Sequence, residues 1–343
     1  MKVCGLSGKQ MGARLCRSFS MDKLVHGKSA IRIIVYHRIM DQLDTHAHPF
    51  DMELVDATEE EFDREIAYLA QNFDIITFAD IIDNLDRATP LPARPLLVTL
   101  DDGFQDNYFH ALPVLKKHQV PAMLFLAAGY IGNDETFWYD WLACIVMNSR
   151  ADRLEYDSGR QSIRLPNSRM DRIRTFRSLI YKLGSVTNEE RLAFIEEIKN
   201  RYGVVYDELE EGLKALSRPL TWEQVREMVA AGISAGSHTM THPFLSRVSA
   251  GDLVHELGES KQLIEARTDT RVDVIAYPNG QQRDYTEEVK EAVRQAGYSL
   301  ALSYVDGINP ISGFDRYAMK RLHVSPRHDF SVFRMALSWP GIF

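Results

Sequence analysis

Short apolar runs rich in β-branched residues recur along this chain, each followed by sequence of helical character. They fall at residues 31–36, 74–78, 95–100, 122–128, 233–237, 272–277, 299–304 and 319–324. The runs are continuously apolar rather than alternating, which suits parallel strands covered on both faces. Helix starts between them are legible. Thr221-Trp222-Glu223-Gln224 forms a capping box ahead of Val225, Met228 and Val229, and Gly232 stops that helix. Ser249 opens a helix with Leu253, Leu257 and Ile264 on one face, while Thr286 and Gly297 bracket another. Over 343 residues this alternation predicts an α/β chain closed as a parallel β/α barrel.

One stretch breaks the rhythm. From about residue 134 to 218 there is no convincing strand pair. Thr187 caps a helix with Leu192, Ile195 and Ile198 on one side, and 168–183 is an arginine-rich amphipathic helix. The expectation is a barrel over 29–343 interrupted by a helical insertion. Residues 1–28 carry Lys2, Lys9, Arg14, Arg17, Lys23 and Lys28 against the single acid Asp22, and have no apolar signal core. They are expected to be a disordered basic extension, with translation starting at Met1 or Met21. A peripheral contact with anionic lipid is the sharper alternative.

A net charge of -8 argues against a nucleic-acid partner. Cys4, Cys16 and Cys144 are scattered and odd in number, which points to a reducing compartment. No apolar run is long enough to span a bilayer. These features lead to an expected cytoplasmic location, at the inner face of the membrane if the basic segment binds lipid. Oligomeric state is not legible.

The polar residues that matter follow the strand-like runs. His37 follows 31–36, Asp101 and Asp102 follow 95–100, His238 and His242 follow 233–237, and Pro278-Asn279-Gly280 follows 272–277. In a parallel barrel these ends open on one face, where active sites are built. His238 and His242, four apart, can face one way on a helical turn. Two imidazoles and one carboxylate make a three-ligand site for a divalent metal, and Asp102 is the natural third ligand. Two adjacent acids ending a buried strand are costly unless something compensates. One can bind the metal while its neighbour faces the substrate water, which is hydrolase chemistry.

These residues carry a resemblance. Thr99-Leu100-Asp101-Asp102-Gly103-Phe104-Gln105-Asp106-Asn107 is similar to the first motif of the polysaccharide deacetylases, the NodB-homology carbohydrate esterases. Ser237-His238-Thr239-Met240-Thr241-His242-Pro243 resembles their second motif. Ala276-Tyr277-Pro278-Asn279-Gly280 resembles their third, in its exopolysaccharide-associated form. The resemblance covers roughly 31–133 and 219–325. It implies a distorted, NodB-like β/α barrel and a metal-dependent N-deacetylase acting on an N-acetylated glycan.

Carried over, Asp101 would be the general base. Asp102, His238 and His242 would hold the metal, most often zinc, with cobalt, nickel or iron as alternatives. The backbone N–H near Tyr277 would help hold the oxyanion. Many members have an arginine where Ala276 stands, so support for the base is missing or comes from elsewhere. Val35-Tyr36-His37-Arg38-Ile39 resembles the first strand of deacetylases with permuted strand order, which makes His37 the expected general acid. His323 is the alternative, His328 is a further late candidate, and Asp306 is a candidate to orient the acid.

Trp138, in Phe137-Trp138-Tyr139-Asp140-Trp141, can offer a sugar-stacking wall or pack the insertion onto the barrel. Tyr108 and Phe109 read as core. The expected substrate is an N-acetylhexosamine in a polysaccharide or lipid-linked precursor. The competing readings are a related amidohydrolase on a non-sugar amide and a catalytically silent carbohydrate-binding barrel.

Overall fold

Seven parallel strands close on themselves: β1 (Ala30–Tyr36), β2 (Pro95–Leu100), β3 (Met123–Leu126), β4 (Ser234–Ser237), β5 (Val274–Ala276), β6 (Leu300–Asp306) and β7 (Met319–His323). Their order around the barrel is their order in the chain. The closing strand is β1, which pairs with β2 from Arg32↔Leu96 to Tyr36↔Leu100 and with β7 at Ile34↔Leu322 and Val35↔His323. This computed structural model describes residues 30–41, 48–133, 135–324 and 329–338. The basic segment 1–28, with Met1, Met21 and the lipid contact suggested for it, lies outside the described residues, as does His328. No described helix is long and apolar enough to cross a membrane.

Alternation along each strand explains the continuous apolar runs. Ile31, Ile33, Leu97, Met123, Phe125, Val274, Leu300, Leu302 and Met319 form one buried cluster, drawn from strands all round the barrel. Their neighbours Ile34, Tyr36, Leu96, Val98, Leu124, Ile275 and Ala301 pack against the helices, on Phe62, Ile66, Val225, Met228, Ile264 and Val293. Both faces are dry, so both are apolar. Closure also leaves no edge within the ring. The barrel is distorted where β4 meets β5 through the single pair Ile275↔Ser237 and where the β6–β7 register shifts between Leu302 and Asp306.

Several expectations change. The run 74–78 is no barrel strand: only Asp74–Ile75 pairs, on the outside of β2, and Thr77 then caps the helix Phe78–Arg87 through a capping box with Asp80. Phe109 is not core; it is 55% exposed on a wide helical turn, Asn107–Ala111. A parallel ribbon of Arg38–Met40 with Val55–Thr58, unread in the sequence, follows directly on His37.

Within the insertion, helices α1 (Trp138–Asn148), α2 (Arg169–Leu183) and α3 (Asn188–Tyr202) bury Leu142, Val146, Phe176, Leu179 and Ile195 against Phe104 and Phe244 of the barrel rim. It also contains an antiparallel hairpin, Arg153–Tyr156 with Gln161–Arg164. That pair escaped the sequence reading because Leu154 is its one buried residue, so it shows little apolar periodicity.

Gly236 on β4 shows how tightly the barrel is filled. A Cβ there would lie 2.6 Å from the Phe125 ring. Gly236→Ala is expected to cost about 1–3 kcal/mol through overpacking. A lowered urea midpoint checks this, and Phe125→Leu in the same chain should recover part of the loss.

Candidate active site

Asp102 leaves β2 and His238 leaves β4, and β3 lies between those strands. Leu126 and Ala127 fix the spacing: the His238 N–H donates to the Leu126 carbonyl at 2.7 Å, and the Ala127 N–H donates to the Asp102 carbonyl at 3.2 Å. The result is a buried cluster in which Asp102 Oδ1 lies 3.3 Å from Nε2 of both His238 and His242.

The two histidines do not share a helical turn, contrary to expectation. Thr239 and His242 have φ of 69° and 55°, and Asp102 has 72°. Such left-handed residues cost about 1–3 kcal/mol each and persist only where the surroundings over-determine them. Here Glu256, buried on the helix side, accepts from the N–H groups of Met240 and Thr241, both at 2.9 Å, and from Thr241 Oγ1 at 2.6 Å. The Ala128 and Gly129 N–H groups donate to the Thr239 and Met240 carbonyls, both at 2.9 Å. Gly129 is required there, since a Cβ would come within 2.7 Å of the Met240 oxygen. Glu256 was missed in the sequence; its only signal was an acid between the core positions Leu253 and Leu257.

The donor set fits a divalent cation. His238 Nδ1 lies 2.8 Å from the Ala276 carbonyl, which can only accept, so the proton sits on Nδ1 and Nε2 is a bare lone pair. Burial lowers the His242 imidazole and keeps it neutral. Asp102 Oδ1, buried between the two rings, meets no donor at full hydrogen-bond geometry among the described residues. Two imidazoles and a carboxylate converging in this way can hold a divalent metal ion, with the Ala276 carbonyl as the outer partner of His238.

Asp101 faces a different set. Burial alone would raise its carboxyl, but Arg321, then His238 and His37, hold it below the usual carboxylate range. Arg321, fully buried on β7, donates from Nη1 to Asp101 Oδ1 at 2.8 Å and from Nε to the Ser303 carbonyl at 2.9 Å. The arginine absent at Ala276 is therefore supplied from the seventh strand.

His37 pairs with Asp56, not with Asp306. Its Nδ1 lies 3.1 Å from Asp56 Oδ2, which also accepts the His37 backbone N–H at 2.5 Å. Burial works against a charged imidazole here, but the Asp56 carboxylate outweighs it and holds His37 up at about 9. His323 is a poor alternative. It stacks on Tyr304 with ring centroids 3.8 Å apart and does not line the cleft. Burial, with Arg321 beside it, pushes it down to about 3.

These groups open into one cleft of about 360 Å³. Barrel loops supply His37, Asp101, Tyr277 and Asn279, while the insertion supplies Trp138 and Tyr139 from α1 and Phe176 and Ile180 from α2. Pro278 is buried but does not line the cleft. The Tyr277 N–H is not free to hold an oxyanion, because it donates across the sheet to the Leu302 carbonyl at 2.9 Å. Asn279, at φ 59°, instead brings a buried Nδ2 that meets no acceptor. Trp138 is both wall and packing: it is 5% exposed, and its Nε1 donates to the His242 carbonyl at 3.0 Å.

In metal-free protein the His37 ring, followed by NMR, should titrate near 9 and move down in Asp56→Asn, where only the charges of Asp101 and Asp102 still oppose burial. Because the folded value is raised, the His37 charge adds stability below pH 6.5 and that contribution is lost as pH rises through about 9. If the triad holds a divalent ion, Glu256→Ala should weaken its binding about 10–100-fold, as loss of an outer support does. Chelator competition reads that change.

Comparison with known proteins bears on this arrangement. The family described as polysaccharide deacetylase matches residues 88–301, more than half of the chain. YxkH of Bacillus subtilis, a protein named as a polysaccharide deacetylase, is 23% identical over 240 residues, which is 69% of this chain and 54% of that protein. The poly-beta-1,6-N-acetyl-D-glucosamine N-deacetylase of Staphylococcus epidermidis is 28% identical over 118 residues, 32% of this chain and 40% of that protein. The chain thus spans about half the length of the curated relatives it matches. Among solved structures, the Streptococcus pyogenes deacetylase PplD in complex with acetate matches with a TM-score of 0.58 at 17% identity, over 91% of this chain and 98% of that one. IcaB from Ammonifex degensii matches with a TM-score of 0.55 at 20% identity, over 90% and 96%. The fold is shared with both, and the family match extends across the paired aspartates, the two histidines and the third motif: the chain belongs to the polysaccharide deacetylase family.

Proposed function

We propose that this chain is a metal-dependent N-deacetylase that hydrolyses the acetamide of an N-acetylhexosamine in a polysaccharide or lipid-linked glycan and releases acetate. The observation that carries the reading is the division of labour between adjacent residues. Asp102 faces two imidazoles, whereas Asp101 faces Arg321 and the cleft. The name of the Staphylococcus epidermidis relative, a poly-N-acetylglucosamine deacetylase, supports a sugar substrate.

Asp102, His238 and His242 would hold the ion, with zinc the best match to two nitrogens and one carboxylate and with cobalt, nickel or iron able to take the same set. When bound, such an ion polarises the amide carbonyl and lowers the pKa of water. The protein's own groups do the proton transfers. Asp101, kept ionised by Arg321, accepts the proton of the attacking water. His37, kept protonated by Asp56, donates a proton to the departing nitrogen. The C–N bond breaks, acetate keeps the water oxygen, and the sugar keeps a free amine. Trp138 and the insertion narrow the cleft around the ring. A chain acting at a membrane face would meet lipid-linked precursors.

Acetate release from N-acetylglucosamine oligomers and lipid-linked N-acetylated precursors tests the reading, using protein stripped of metal and reloaded with zinc or cobalt. Release should require the reloaded ion and vanish in His238→Ala. Asp101→Asn should lower kcat at least about 10²-fold, the scale of a lost general base, with metal content unchanged. Tight metal binding without acetate from any glycan would move the chemistry to another amide. No metal binding would leave a sugar-binding barrel.

A further inference from the structure

Tyr139 is buried, 7% exposed, on the first turn of α1, and it lines the cleft. Its hydroxyl meets no atom at hydrogen-bond geometry, although it lies beside Asp102. A tyrosine hydroxyl carries its proton at neutral pH, so it can donate. The ring is held on three sides. It stacks on Phe137 at 5.4 Å with planes 20° apart, meets Trp138 edge-on at 5.7 Å, and lies 4.9 Å from the His242 ring. A buried hydroxyl without an acceptor costs about 1–3 kcal/mol. Such a group calls for an explanation, and in a cleft a ligand that supplies the missing acceptor is one.

The reaction proposed above needs that partner. As water adds to the amide carbon, negative charge develops on the acyl oxygen, and preorganised donors there contribute strongly. The Tyr277 N–H is already committed to the Leu302 carbonyl. We propose that the Tyr139 hydroxyl, contributed by the helical insertion, donates a hydrogen bond to the acyl oxygen of the substrate amide as it becomes the tetrahedral oxyanion. This rests on the deacetylase reading. It assigns the insertion a catalytic residue in addition to a wall.

Tyr139→Phe keeps the ring packing and removes only the donor. Three quantities are measured on zinc-loaded wild type and variant: kcat and KM for acetate release, zinc affinity by chelator competition, and the affinity for acetate by calorimetric titration. The expected result is a fall in kcat of about 10²–10³-fold, with KM within twofold, zinc affinity unchanged and acetate bound at least fivefold more weakly. Unchanged kcat and acetate affinity overturn the proposal. Zinc affinity reduced tenfold with wild-type kcat at saturating zinc also overturns it, since the tyrosine would then act through Asp102. If wild type releases no acetate, the deacetylase reading fails, and the acetate titration alone still decides whether Tyr139 donates to an acyl oxygen in this cleft.

Discussion

Two adjacent carboxylates are buried at the end of β2, each about 1% exposed, and much of the rim is arranged around their charge. Isolated ionised carboxylates do not survive in such a place; they are paired, bound to metal or protonated. Successive residues leaving a strand point apart, so Asp101 and Asp102 are compensated separately. Arg321 reaches Asp101 from β7, while His238 and His242 reach Asp102 from the loop after β4. These five side chains therefore tie strands on both sides of β2. The chemical asymmetry between a ligand and a base follows from that geometry.

A second level of support keeps the reacting atoms in place. Glu256 holds the histidine loop in a conformation its own residues resist, the Ala276 carbonyl sets the tautomer of His238, and Asp56 charges His37. None of these three touches the cleft centre in the manner of the groups they orient. The insertion adds something different: by packing α1 and α2 over the rim it converts an open barrel mouth into a walled cleft. Trp138 joins the two parts by bonding the His242 carbonyl.

Much of this was legible in the chain because it is local. The barrel strands betray themselves by being apolar on both faces, and Asp101, Asp102, His238 and His242 follow them directly. The supports were not legible, because each acts across a long sequence separation. Arg321 lies 220 residues from Asp101, and its role depends on the strand order that brings β7 to β1. Asp56 sits on a ribbon strand with only two of its four residues aliphatic, so periodicity was silent. The loop from His238 to His242 has helical spacing but left-handed backbone at Thr239 and His242. Spacing alone does not distinguish those conformations. Tyr277 had the right position for an oxyanion donor, but the cross-strand bond to Leu302 takes its N–H.

The separation of ligand from base is the claim on which the rest turns, and anomalous diffraction from crystals grown with zinc tests it most directly. One ion is expected about 2.0–2.2 Å from an Asp102 oxygen and from Nε2 of His238 and His242, with Asp101 still on Arg321 and outside the coordination shell. An ion ligated by Asp101, or zinc bound elsewhere with the triad empty, would contradict it.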